Sequence, residues 1–154
     1  MAVGGGRLHG KTSPARRQQG QVILLFAVAL PVLVALLALA MDLGGATITY
    51  HRAQIALDAA TFAAAQAVDQ NIFDHTQRVE LDPYVAGSMA GQYASLNSRG
   101  ELVMTSFEVR GDTVFASGRM LYRPLFAGLF GVDVIRARVT SSAGPGFGVV
   151  EGGE

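Results

Sequence analysis

Cysteine is absent from the 154 residues, and only 16% of them are charged. Without cysteine the chain can form no disulfide, offer no thiolate to a metal and supply no Cys nucleophile. Histidine is scarce. His9, His51 and His75 lie far apart in the sequence, and no His-x-x-x-His, His-Glu-x-x-His or Gly-x-Ser-x-Gly spacing occurs, so the common hydrolase motifs have no footprint. The carboxylates are scattered, mostly beside turns or on polar helix faces. No catalytic residue, cofactor site or metal site is expected, and the chain is read as a non-enzyme. Beyond the first 21 positions there is also no block of basic residues interleaved with aromatics, so no nucleic-acid partner is expected.

What the chain does have is apolar residues, at 50% of the total with a mean hydropathy of +0.33. That excess is concentrated in Val22 to Met41, VILLFAVALPVLVALLALAM, which carries no charged side chain. At about 1.5 Å per residue such a helix spans about 30 Å, the thickness of a bilayer's hydrocarbon core. Pro31 lies inside it, where membrane helices tolerate proline better than soluble ones do. The charges flank this run unevenly. Arg7, Lys11, Arg16 and Arg17 precede it with no acid, whereas all twelve Asp and Glu follow it. A basic head before an apolar run predicts a cytoplasmic N-terminus and an extracytoplasmic C-terminal domain. A cleaved secretory signal is the rival, since Ala38-Leu39-Ala40 has an A-x-A pattern. The run is longer than the about 7–15 apolar residues of such signals, and the sequence after it continues as a helix.

Residues 1–20 are expected to be a disordered basic leader, being rich in Gly, Ser, Arg and Gln. Gly5 to Thr12 (GGRLHGKT) meets the spacing of a phosphate-binding loop. Such a loop works between a buried strand and a helix; nothing hydrophobic precedes this one and Ser13-Pro14 follows, so it is read as coincidence. Residues 21–42 are the expected transmembrane helix, and 43–73 a protruding alanine-rich continuation. In it Ile48, Ile55, Ala59, Phe62, Ala63 and Gln66 form a stripe at helical period. Gly44-Gly45 could hinge the rod.

Residues 74–143 are expected to form a small α+β outer domain, with the stalk helix covering one sheet face. Asp82-Pro83 starts a helix that ends at Asn97-Ser98-Arg99-Gly100. Leu102 to Val109 and Val114 to about Tyr122 read as a hairpin joined by Arg110-Gly111-Asp112, a turn and not an integrin-type signal. Val134 to Ser141 alternates as a third strand. The tail, 144–154, is glycine-rich and expected to be loose.

Three pieces carry a resemblance to a known family: Arg16-Arg17-Gln18-Gln19-Gly20-Gln21, then LLFAVALPVLVALLALAMDLGG, then RAQIALDAATFAAAQAV. Together they resemble the N-terminal region of the TadE/TadG-like family, pseudopilin-like membrane components of tight-adherence (Flp-type) pilus systems. The points of match are Gly20 after the basic residues, Leu30-Pro31, Met41-Asp42-Leu43-Gly44, Gln54 and Leu57-Asp58-Ala59-Ala60. The resemblance implies a role in assembling or priming a pilus, with other pilin-like or pilus-assembly membrane proteins and membrane lipid as partners. It also implies cleavage by a prepilin peptidase between Gly20 and Gln21. Many pilin-like members carry a glutamate five residues after the cut; here that position is Leu25. Pro31, Asp42, Gly44 and Gly45 are the expected helix-packing residues, the two glycines among them because small residues let helix backbones approach closely. The chain is shorter than TadG proteins with their large extra domain, so a TadE-like pilus assembly protein or minor pilin is expected. The alternative is a cell-surface binding or enzyme module tethered by a signal anchor and unrelated to pili.

Overall fold

A computed structural model describes residues 15–146, with side chains from Gly20 onward. The expected leader up to residue 14, including the Gly5–Thr12 segment and His9, lies outside the described residues, as does the glycine-rich tail from 147 onward. The chain divides into two compact units, Met1–Ala38 and Leu39–Glu154. The first is helical where it is described. It holds most of the apolar run, and its large side chains, from Val22 to Leu37, are all more than half exposed. An apolar helix with no protein cover is what lipid as solvent demands.

The helix α1 extends over Ala15–Ala64, so residues 15–20 of the expected leader are helical. Within the second unit it is followed by α2 (Gln70–Thr76), α3 (Pro83–Ser98), β1 (Val103–Arg110), β2 (Thr113–Tyr122), a 3-10 turn (Ala127–Phe130) and β3 (Ile135–Ala143). The three strands form one antiparallel sheet in the order β1-β2-β3. This is the α+β architecture expected: a long N-terminal helix and a domain of one principal helix and three antiparallel strands.

α1 stops at Ala64, short of the expected end near Phe73. Alanine favours helix there, but tertiary pairing overrides propensity. Val68 bridges to Leu81, Asp69 N–H donates to the Glu80 carbonyl and Asp82 N–H to the Ala67 carbonyl. The extended Asp69 then caps α2, its carboxylate accepting from Ile72 N–H. Asp82 does the same for α3, accepting from Tyr84 and Val85 N–H, with Pro83 in the first turn. α3 ends where Arg99 (φ 56°) and Gly100 (φ 79°) turn left-handed.

β1 does not alternate cleanly. The pairing slips between Met104 and Ser106, so Thr105 is an extra residue that resets the faces. Leu102 and Met104 before the bulge, and Phe107 and Val109 after it, therefore all turn toward the core. Val114, Ala116 and Met120 of β2 and Val139 of β3 continue the same layer. Against it lie Leu57 and the small residues of the helices: Ala53, Ala56, Ala60 and Ala64 of α1, and Ala86, Ala90 and Ala94 of α3. Leu57, Met120 and Val114 are the largest wholly buried side chains.

Candidate functional site

Two features of the second unit stand apart from its core. The first is the outward face of α1. The residues that bury are mostly alanines, whereas Ile48, Ile55 and Phe62, seven residues apart, are 62%, 63% and 61% exposed. Met41 extends the row by one more step of seven, and Gly44 lies on the same side as Ile48, four residues away. A seven-residue apolar repeat on one helix face is the geometry by which helices pack along each other. The sequence pattern located this stripe. Whereas Ala63, a member of it, is buried, its three large residues face outward. Arg52, which ion-pairs with Glu101 at 3.2 Å, borders it.

The second feature is Asp42, the residue after the apolar run. Its side chain is buried and accepts three backbone hydrogen bonds: from Leu125 N–H at 2.7 Å, Phe126 N–H at 2.9 Å and Ala127 N–H at 2.6 Å. The Tyr122 hydroxyl reaches the same carboxylate. Only an ionised carboxylate offers acceptors alone in such number. Asp42 thus fastens the entry of the 3-10 turn to the helix more than eighty residues earlier in the chain. Burial, and then the Asp42 charge, push the Tyr122 phenol above its ordinary value. Gly45 sits one turn on. A Cβ there would lie 2.5 Å from Tyr122 Cζ and 2.7 Å from Cε2, so the tyrosine ring occupies the space a side chain would need.

The residues named from sequence thus divide. Asp42 and Gly45 meet in the Tyr122 contact within the second unit. Gly44 faces open space. Pro31 is exposed inside α1, and Gly20 and Gln21 lie within its helical backbone, both exposed. The involvement of Tyr122 and Leu125–Ala127 was missed by sequence reasoning. The only available signal was a lone acid at the end of an apolar run, a costly place for a charge without partners.

Nothing among the described residues gathers three or more His, Asp or Glu side chains. Glu108 is paired with Arg110 through two bonds of 2.7 and 2.8 Å, and that hydrogen bonding, with the arginine's charge, lowers its carboxyl's pKa. Arg110 also lies 5.3 Å from the Phe115 ring centroid, so the pair reads as a sheet-surface ornament at the hairpin.

Residues 20–67 match a family model, Tad, whose description reads "Putative Flp pilus-assembly TadE/G-like". The Tad match begins at Gly20 and ends three residues past α1, so it takes in the apolar run, Asp42, both glycines and the whole outward stripe. It supports a role related to Flp-pilus assembly and, with the apolar helix, membrane anchoring. No curated protein and no solved structure matches the chain.

Proposed function

We propose that the chain is a membrane-anchored pilus assembly protein or minor pilin of a tight-adherence (Flp-type) system, acting through helix packing and protein contacts. The observation that carries this is the row Met41, Ile48, Ile55 and Phe62, left outward by a helix that already buries its alanine face. Large apolar residues at a heptad spacing fit another helix better than they fit water. Pro31 and Gly44 would lie against neighbouring helices, while Asp42 and Gly45 act through the chain's own fold. The N-terminus is cytoplasmic and the sheet domain extracytoplasmic, in keeping with Arg16 and Arg17 before the run.

Processing between Gly20 and Gln21 by a prepilin peptidase is part of the proposal. Leu25 supplies no carboxylate to meet a neighbour's new N-terminus, so filament entry would rest on apolar packing alone. N-terminal sequencing of the membrane protein tests the processing, with a start at Gln21 expected; an intact leader would contradict it. Deletion of the gene tests the function, with loss of surface pili expected. Normal piliation in the deletion strain would refute it.

A further inference from the structure

The turn that Asp42 holds has an unusual surface. Leu125, Leu129 and Phe130 are 71%, 81% and 85% exposed, and Val132 joins them. Four large apolar side chains within eight residues are not a favourable water-facing loop. The backbone beneath them is, in contrast, well satisfied. The N–H groups of Leu125, Phe126 and Ala127 donate to Asp42. Those of Leu129, Gly131 and Val132 donate to the carbonyls of Phe126, Gly128 and Ala127. Apolar side chains over an internally bonded backbone are what a segment needs to leave water for lipid, where each unmade hydrogen bond is costly.

Its position identifies the occupant. Asp42 directly follows Met41, the last residue of the apolar run, so the loop is fastened at the end of the membrane segment. Leu39, Met41 and Leu43 of α1 are themselves exposed there. Arg123 and Arg136 flank the loop in sequence, with Asp133 between them, and all three are exposed. Long arginine stems can lie along apolar surface while their charges stay at headgroup level.

We infer that the segment from Leu125 to Val132 is a membrane foot, inserting Leu125, Leu129 and Phe130 into the leaflet on the Asp42 side. The inference rests on the membrane-anchor reading. It adds a second lipid contact to the one that the apolar run provides. Asp42 makes the foot possible, since its carboxylate replaces the water those three N–H groups would otherwise require.

The sequence has no tryptophan, so single-Trp variants of the full chain report one site each. L129W and F130W, reconstituted in phosphatidylethanolamine–phosphatidylglycerol vesicles, should show blue-shifted emission. They should lose most of it when the lipids carry bromines near the headgroup end of their acyl chains. L33W, within the apolar run, should be quenched by bromines deep in the chains. Y84W should respond only to aqueous acrylamide, because α3 begins at the opposite end of β2, where Leu81 N–H bonds to the Gly111 carbonyl. If L33W is quenched but L129W and F130W behave like Y84W, the foot is refuted and the anchor stands. Blue-shifted emission at 129 and 130 that brominated lipid leaves unchanged would mean that protein covers the loop, which also refutes it. If L33W itself escapes brominated lipid, the anchor reading falls and the foot with it.

Discussion

Asp42 and Gly45 show how one turn of helix fixes a distant loop. Asp42→Asn keeps the size of the side chain but replaces one acceptor with an N–H donor facing backbone donors. Its thermal midpoint should therefore fall by several degrees, nearly as far as that of Asp42→Ala, in unfolding followed by circular dichroism. Gly44 and Gly45 are neighbours with opposite expectations. Gly44→Ala meets nothing within 4 Å, and should raise stability by up to about 1 kcal/mol through helix propensity. Gly45→Ala would force the Tyr122 ring aside, and should lower stability by about 1–3 kcal/mol as overpacking does. Tyr122 adds a pH dependence. Its folded pKa is raised above 10.0, so the fold retains that proton longer than the unfolded chain does. The resulting stability is complete below pH 10.0 and is lost as pH climbs through the folded value. Alkaline titration should thus lower the thermal midpoint more steeply in the parent chain than in Tyr122→Phe.

At the scale of elements, the two main helices turn mostly alanines inward, with Leu57 the large exception, and several large apolar residues outward. Ala60 and Ala90 have no exposed surface, whereas Phe62 on α1 and Leu96 on α3 are well exposed. Ala60→Leu should cost about 1–3 kcal/mol, because a close-packed interior has no room for added methylenes. Ile55→Ala and Phe62→Ala should change the unfolding midpoint little. This inversion limits what sequence reveals. The helix starts at Asp82-Pro83, the hairpin turn and the three strands were legible from caps, turns and period-two patterns. The direction each helix face takes was not, since periodicity finds a stripe without saying whether its own sheet or a partner covers it. The end of α1 was hidden too, because alanine favours continuing the helix, and the bridge of Val68 to Leu81 that stops it is a tertiary contact. Asp42 was visible as a lone acid after the apolar run. Its partners, more than eighty residues later, carry no local pattern that points back to it.

For the whole molecule, one helix serves two environments and two surfaces. Residues 22–41 suit lipid, and residues 53–64 suit a sheet on one side while leaving an apolar row on the other. The central claim is that this row meets a neighbouring helix of the pilus machinery. The absence of native cysteine allows single-cysteine crosslinking in intact cells that express the pilus system. Ile55→Cys and Phe62→Cys should form specific adducts with another membrane protein of that system, while Asp58→Cys and Tyr50→Cys, exposed on α1 off the row, should form far fewer. Adducts spread equally over all four positions, or none at 55 and 62 in piliated cells, would contradict it.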